Sequence, residues 1–425
     1  MKVVRGFLLC LGICALALTS GCGARAIATM SGVNAAAASR ERPGGPAPSV
    51  TPTGPVIAAV LAVPYDEAPL SPRTVWIVGL GGHVTSRVVH VAPSTPLALS
   101  PDGRTLLHAT GPPLYANNSQ PATGLWALDL DTGRDTSLLT APWVLSYCWD
   151  ASGRIVALTS TSRVAIRGFR VWHGTPGSLV SGIPKTTTPS DASTLLACDG
   201  RTAYLTGTTA ADGGSMSASV EHLWRYDFAS DRMTLAMSID QPGGIDSDMP
   251  TRRFLEPSYS GVPPYSWELP SIGLPFATSA PTSGGPRPDR IELLSYSDLT
   301  LERSIIPTPT GTAAYYPAPV FDSTFSHYLA RTAANNGGLS APSKLIEVDA
   351  VTGSSTVVPW PADPLVNPVG YLGASRSFLF VADYAKGVEV VLQEPGKTPR
   401  VVLRIPGSSY PRQRWPGILG VQYAR

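Results

Sequence analysis

Histidine and cysteine are the residues of this 425-residue chain whose chemistry could bind a metal ion or serve a catalytic base and nucleophile. Zinc-binding histidines come in pairs at helical or hairpin spacing, and none of the six histidines has such a partner. The chain also lacks a His-Glu-x-x-His, a Gly-x-Ser-x-Gly and a Walker phosphate-loop motif. The sequence therefore predicts no metal site, no cofactor and no linear catalytic motif.

Two short motifs look like ligand-binding loops, but hairpin turns account for both. Residues 79–83 read Gly-Leu-Gly-Gly-His and join two predicted strands, so the helix N-terminus that would cradle a phosphate is missing. Residues 129–133 read like the start of a calcium loop, yet its twelfth position is Thr140, where such a loop has Glu. We expect a turn between strands at each place.

Two cysteines remain for the folded part of the chain, Cys148 and Cys198, because the other three lie in the first 22 residues. In the repeat described below, Cys148 lies in the first strand of one copy and Cys198 at the first turn of the next. Their aligned positions differ by about three residues, which strains the reach of a disulfide. A disulfide and two buried thiols are equal alternatives, and no base accompanies either thiol for catalysis.

A long insertion, residues 241–266, and aromatic residues near the predicted first strands supply a candidate binding surface. Aromatic and arginine side chains are favoured at recognition sites because they bury large areas, and loops on a rigid scaffold commonly carry binding. Packing between neighbouring sheets is the alternative for each aromatic residue. The candidate binding residues are Asp246, Asp248, Arg252, Arg253, Tyr259, Tyr265, Trp143, Trp267, Tyr316, Arg412, Arg414 and Trp415.

A recurring pattern must position these residues. Residues 97–110 form an apolar run, a Ser-Pro-Asp-Gly turn and a second apolar run, and a hairpin follows. Similar copies recur about every 40 to 55 residues, the spacing of propeller blades. With 41 Gly and 42 Pro, the composition also favours short strands over long helices. Six four-stranded units are predicted between residues 96 and 406.

The residues outside those six units complete a seventh. Residues 56–92 contain three strand-like runs, and residues 417–425 supply a fourth. Pairing the last strand with the first unit hides sheet edges that would otherwise be exposed. The sequence therefore predicts an all-β propeller of about seven four-stranded blades over residues 56–425, closed by the C-terminal strand joining the first blade.

The units resemble the extracytoplasmic WD-like and TolB-like propeller families, whose blades often carry Ser-Pro-Asp-Gly at this turn. Residues 100–103 match the motif fully, and residues 198–200 match it in part. The Trp-Asp ending of true WD repeats is absent, with Leu128-Asp129 and Tyr226-Asp227 at the nearest positions. Because the motif is a structural turn, the resemblance implies a fold and says little about activity.

The N-terminus predicts export and a lipid anchor. Residues 1–21 combine a basic start with an apolar stretch too short for a good membrane span. Residues 18–22 read Leu-Thr-Ser-Gly-Cys and resemble the lipobox of bacterial lipoproteins, which implies a diacylglycerol on Cys22. The alternative is an ordinary secretory signal cleaved near residues 24–28. Residues 22–55 lack apolar periodicity and are predicted to be a tether, with the body on the extracytoplasmic side of the cell membrane.

The 32 basic and 30 acidic residues nearly balance without a basic stripe, which argues against a nucleic-acid partner. Three other functional hypotheses remain. The leading hypothesis is a lipid-anchored, non-catalytic scaffold that binds a protein, peptide or glycan at the loop-rich face. The first alternative is a propeller hydrolase or lyase with a site at the channel mouth, using Asp246, Asp248 and Arg412. The second is a purely structural envelope component.

Overall fold

The structure is a computed structural model in which the chain divides into residues 1–38 and Ser39–Arg425. All described residues belong to the second unit. They are residues 41–42, 56–63, 73–79, 84–89, 97–110, 122–150, 152–161, 168–185, 192–198, 200–210, 219–241, 251–254, 274–280, 287–305, 320–322, 324, 326–332, 344–360, 365–372, 376–384, 387–406 and 417–422.

Every regular element in the described part of the chain is a β-strand. Valine, leucine, threonine and aromatic residues recur in these strands, as expected for pleated and partly buried surfaces. The strands are β1 (Glu41–Arg42), β2 (Val56–Val63), β3 (Arg73–Gly79), β4 (Val84–Val89), β5 (Ala98–Leu99), β6 (Thr105–Thr110), β7 (Ala122–Asp129), β8 (Asp135–Trp149), β9 (Ile155–Ser160), β10 (Arg170–Thr175), β11 (Ser178–Gly182), β12 (Ala192–Cys198), β13 (Thr202–Ala210), β14 (Ser219–Asp227), β15 (Arg232–Gln241), β16 (Thr251–Phe254), β17 (Leu274–Ala280), β18 (Arg287–Leu294), β19 (Leu301–Ile305), β20 (Val320–Phe321), β21 (His327–Thr332), β22 (Lys344–Asp349), β23 (Ser355–Val357), β24 (Leu365–Leu372), β25 (Ser377–Tyr384), β26 (Gly387–Gln393), β27 (Arg400–Pro406) and β28 (Gly417–Gln422).

The described strands form several antiparallel sheets. Four of them are four-stranded meanders made of β12–β15, β16–β19, β20–β23 and β24–β27. In each meander the connections after the first and third strands lie at one end, which we call the turn end. The connection after the second strand lies at the opposite end, which we call the loop end. This alternation follows from antiparallel pairing of consecutive strands.

One sheet holds eight strands. Seven of them, β5–β11, come from two successive units that share β8, and the eighth is β1, which pairs with β8. The first part of this 15-residue strand pairs with β7, for example Thr140 with Gly124. The second part pairs with β9, for example Trp143 with Ser160. The chain therefore passes from one predicted unit to the next without leaving the strand.

The remaining sheet joins the last described strand, β28, to a strand near the start of the described chain, β2. Strand β28 pairs antiparallel with β2, so that Gln422 lies opposite Ala59 and Gly420 opposite Leu61. Strands β3 and β4 complete this sheet in the order β28-β2-β3-β4. Its core includes Ile77 and Val78, which are fully buried.

Aspartate and glycine shape the turns at the turn end. Asp349 Oδ1 accepts the backbone N–H of Thr352 at 2.8 Å, and Gly353 has a φ of 71°, which glycine adopts without a Cβ clash. These hydrogen bonds lower the pKa of the Asp349 carboxyl, because they stabilise its charged form. The predicted turns at residues 131–133, 230–231, 351–353 and 395–396 are confirmed.

The structure corrects the expectation for the long insertion. Residues 251–254 form strand β16, in which Phe254 pairs with Phe276 of β17, and so they are not part of a loop. The sequence analysis assigns these residues to the long insertion of residues 241–266, in which a four-residue run has no periodicity to identify it as a strand.

Within the predicted tether, Glu41 and Arg42 of β1 pair with Thr136 and Asp135 of β8. The other residues of the tether lie outside the described residues.

Candidate active site

A pocket of about 260 Å³ lies at the turn end, between the sheet of β20–β23 and the sheet of β24–β27. Part of its lining is apolar and comes from Val357, Val358, Pro359 and Phe378. Four polar side chains, Glu347, Thr356, Arg376 and Gln393, also line it. Concave sites with an apolar lining and a few polar groups are the usual form of small-molecule sites.

The carboxylate of Glu347, in β22, has one oxygen held in place. Its Oε1 accepts the hydroxyl of Tyr371 at 3.3 Å and lies 3.0 Å from Arg376 Nη2. Its Oε2 has no hydrogen-bond partner among the described residues, and the side chain is 18% exposed. The group is therefore oriented by two donors while one oxygen is free to accept a proton or a ligand donor.

Tyr371 holds this carboxylate from the buried side. The residue is 1% exposed and its ring contacts that of Phe378, with the centroids 5.7 Å apart. Burial raises the pKa of the Tyr371 hydroxyl well above its ordinary value, and the negative charges of Glu347 and Asp322 raise it further. The hydroxyl therefore stays protonated and keeps donating to Glu347.

Arg376 approaches Glu347 from an unusual backbone conformation. Its φ is 54°, whereas in the corresponding turns after β5, β8 and β12 the positive φ belongs to a glycine, namely Gly103, Gly153 and Gly200. A positive φ is costly for residues with a Cβ, and such outliers cluster at functional sites. The guanidinium is 51% exposed, so it can meet both Glu347 and a ligand.

Gln393 presents an unpaired acceptor. Its Nε2 donates to the carbonyl oxygens of Glu394 at 2.7 Å and Lys397 at 2.8 Å, and this fixes the orientation of the amide. Its Oε1 is buried and has no hydrogen-bond partner, and the residue as a whole is 9% exposed. Leaving a buried acceptor unpaired costs about 1–3 kcal/mol, so a ligand N–H or O–H would be stabilised here.

A histidine lies near this region but outside the pocket lining. His327 Nδ1 is 3.4 Å from Asp322 Oδ2, and its Nε2 is 4.0 Å from Asp349 Oδ2. In the described part of the chain, no group of three or more His, Cys, Asp or Glu residues is arranged to hold a metal ion.

None of the described residues forms a helix of the length and hydropathy that a membrane span requires.

Most of the candidate binding residues lie outside the described residues. They are Asp246, Asp248, Tyr259, Tyr265, Trp267, Tyr316, Arg412, Arg414 and Trp415, and Cys22 lies outside them as well. Arg252 and Arg253 belong to strand β16, opposite Thr278 and Ala277. Trp143 is partly buried in β8. The three described candidates, Trp143, Arg252 and Arg253, do not line the pocket, which lies at the turn end.

The cysteine pair is brought together. Cys148 and Cys198 are both buried, and their Sγ atoms lie 3.0 Å apart. The two positions that the sequence alignment separated by about three residues are therefore neighbours.

Sequence analysis missed Glu347, Arg376 and Gln393, but one of them leaves a signal. Three copies of the repeat have glycine followed by arginine at the first turn, at residues 103–104, 153–154 and 200–201. In the last copy Arg376, followed by Ser377, stands where these three copies have the glycine. A charged residue in a turn that has lost its glycine marks a position worth testing.

No protein-family model matches the sequence, and no curated protein is significantly similar to it. Among solved structures it is similar to TolB of Acinetobacter baumannii, with 12% identity, 82% of this chain and 79% of that chain covered, and a TM-score of 0.38. It is also similar to a periplasmic gluconolactonase of Pseudomonas aeruginosa, with 13% identity, 83% and 98% covered, and a TM-score of 0.43. For an oligogalacturonate lyase the identity is 11%, the covered shares are 83% and 86%, and the TM-score is 0.46.

These comparisons correct the leading functional hypothesis. The similar structures are mostly enzymes, including the lactonase, the lyase and a puromycin hydrolase. The expectation of a non-catalytic scaffold is contradicted by these neighbours, and we do not propose it. At these identities a likeness concerns the fold alone, so the reaction has to be argued from the residues of this chain.

Proposed function

We propose that this protein is a hydrolase whose site is the pocket at Glu347. The observation that carries the proposal is the partly fixed carboxylate: two donors hold Oε1 of Glu347, while Oε2 is free in a pocket with an arginine and an unpaired buried acceptor. A general base needs this combination of fixed orientation and an open oxygen. The pocket differs from the channel mouth that the sequence analysis favoured for an enzyme.

The chemistry assigned to the pocket is hydrolysis of an ester or lactone. Glu347 Oε2 takes a proton from a water molecule, and the water oxygen attacks the acyl carbon. Arg376 stabilises the negative charge that develops on the acyl oxygen, and the bond to the leaving oxygen then breaks as that oxygen receives the proton from Glu347. Gln393 Oε1 accepts a substrate hydroxyl, and the ring of Phe378 supports an apolar face of the substrate.

The test is hydrolysis of a panel of aryl esters and aliphatic lactones by the purified full chain. We expect Glu347→Gln to lower kcat/KM by about 10²- to 10⁴-fold, the usual contribution of a general base. Glutamine keeps the shape of glutamate, so circular dichroism and the Tm should change little. Absence of turnover on every substrate, or equal turnover by the variant, would overturn the proposal.

A matched control exists in the neighbouring hairpin. Glu389 of β26 pairs with Arg404 of β27 at 2.7 Å and is 16% exposed, but it does not line the pocket. Glu389→Gln removes a similar ion pair within the neighbouring sheet β24–β27, whose first turn carries Arg376. We expect it to keep full activity, so a loss of activity in both variants would assign the effect to the sheet and contradict a role specific to Glu347.

We also propose that the enzyme is exported and held at the membrane by a lipid on Cys22. The support is the basic start, the short apolar stretch and the lipobox-like residues 18–22. Mass spectrometry of the mature N-terminus should find a diacylglyceryl group on Cys22, and Cys22→Ala should release the protein from membranes. An unmodified N-terminus at residues 24–28 would support ordinary secretion instead.

We further propose that the described sheets are blades of a seven-bladed ring. The pairing of β28 with β2 supports closure, since it places the last described strand and the first strand of the predicted propeller in one sheet. A truncation after residue 416 removes β28 and exposes the edge of β2. It should lower the Tm and favour aggregation, whereas a truncation of residues 423–425 should have little effect.

A further inference from the structure

The two buried cysteines occupy neighbouring strands of different sheets. Cys148 is the penultimate residue of β8, and Cys198 is the last residue of β12. Their exposed fractions are 1% and 0%, and they belong to one apolar cluster with Leu158 and Leu205. Both sulfur atoms are therefore shielded from water in the folded protein.

The local register explains why these residues meet. Ser146 Oγ of β8 accepts the backbone N–H of Leu195 of β12 at 3.1 Å, which aligns the two strands. From this point Cys148 is two residues further along β8, while Cys198 is three residues further along β12. The irregularity between Leu195 and Ala197 takes up the extra residue, because a β-bulge inserts one residue into one strand.

The distance between the sulfur atoms is short for two thiols. The Sγ atoms lie 3.0 Å apart, whereas the contact of Cys198 Sγ with the carbonyl oxygen of Trp149 is 3.8 Å. A disulfide has a sulfur–sulfur distance of about 2.05 Å, so a movement of roughly 1 Å would complete the bond. Within the described residues no third ligand is placed to turn the pair into a metal site.

We infer that Cys148 and Cys198 form a disulfide that joins two adjacent sheets in the exported protein. The two thiols lose two electrons and two protons to a protein disulfide of an extracytoplasmic thiol oxidase, which leaves as a dithiol. Because both sulfurs are buried in the folded protein, the bond forms before the two sheets have packed. The inference rests on the proposed export and is independent of the proposed hydrolysis.

The decisive measurement is alkylation of the exported wild-type protein. The full chain is produced with its N-terminal segment, isolated from membranes, denatured in guanidinium with iodoacetamide and mapped by mass spectrometry. We expect neither Cys148 nor Cys198 to be alkylated before reduction, a peptide cross-link between them, and alkylation of both after reduction. Complete alkylation of both residues without reduction would overturn the disulfide, whether or not the protein is an active hydrolase.

Two variants give the internal controls. In Cys198→Ala the remaining Cys148 should be alkylated without reduction, which shows that the reagent reaches this residue after denaturation. In Cys148→Ala/Cys198→Ala the Tm should no longer respond to a reductant. We expect a reductant to lower the Tm of the wild type by about 5 °C, because reduction frees the chain between the two positions in the unfolded state. An equal Tm with and without reductant in the wild type would contradict a stabilising bond.

Discussion

Two contacts between adjacent sheets show how similar strands can build very different surfaces. The closed contact joins β8 and β12, where Cys148, Leu195 and Cys198 are buried and the sulfur atoms nearly touch. The open contact joins the sheets of β20–β23 and β24–β27, where the pocket lies. At the open contact Glu347 and Arg376 stand where a continuous apolar filling would otherwise close the space.

The difference lies in the side chains and not in the strand pairing. Small and apolar residues let neighbouring sheets pack to the density of a protein interior. A carboxylate and a guanidinium keep access to water because burying an unpaired charge is costly. The open contact is therefore less densely packed than the closed one and leaves a polar site accessible to solvent. Four sets of variants test this interpretation, in order of decreasing effect.

The largest effect is expected in the closed contact. Leu195 is fully buried in the cluster that contains Cys148, and Leu195→Ala should lower the free energy of unfolding by about 2–5 kcal/mol. Val357 lines the pocket and is 51% exposed, so Val357→Ala should cost less than about 0.5 kcal/mol. Urea titrations measure both values, and equal costs would show that the two contacts do not differ in packing.

Arg376→Gly should separate activity from stability. Removing the guanidinium should lower kcat/KM for ester hydrolysis by about 10²- to 10³-fold, the usual effect of losing one oxyanion donor. The free energy of unfolding should change by no more than about 1 kcal/mol, because glycine relieves the φ of 54° while an exposed ion pair is lost. A large loss of stability would instead assign Arg376 a structural role.

The Tyr371 hydroxyl should produce an alkaline limit to stability. The pKa of this hydroxyl is raised in the folded state. Its contribution to the free energy of unfolding is therefore complete below the unfolded pKa of about 10 and is lost as the pH rises above that value. Tyr371→Phe should cost about 1–2 kcal/mol at pH 7 and should flatten the loss above pH 10. Unfolding curves at several pH values measure this, and parallel curves for both proteins would contradict the assignment.

The smallest effect is expected for the control pair of Glu389 and Arg404. Arg404 is 74% exposed, so Glu389→Gln should change the free energy of unfolding by less than about 1 kcal/mol, and less at high salt. A larger change would mean that ion pairs of this kind stabilise the sheet, and the interpretation of Glu347→Gln would then need the same correction.

Local sequence determined the strands and turns of this protein. The Ser-Pro-Asp-Gly copy at residues 100–103 and the turn at residues 351–353 were predictable because aspartate and glycine act through their own backbone neighbours. The strand at residues 417–422 was predictable from its apolar residues. The strand at residues 251–254 was missed because a short run within a long insertion has no periodicity to identify it.

The tertiary structure alone decided which distant residues meet. Glu347 and Arg376 lie in different sheets, and no spacing in the sequence places a turn arginine beside a strand carboxylate. The neighbourhood of Cys148 and Cys198 depended on one irregularity in β12, which shifts the register by a single residue. Contacts between sheets depend on such shifts and on side-chain volumes, and local patterns carry neither. The sequence by itself thus determined the repeated unit, while packing between units decided the pocket and the cysteine pair.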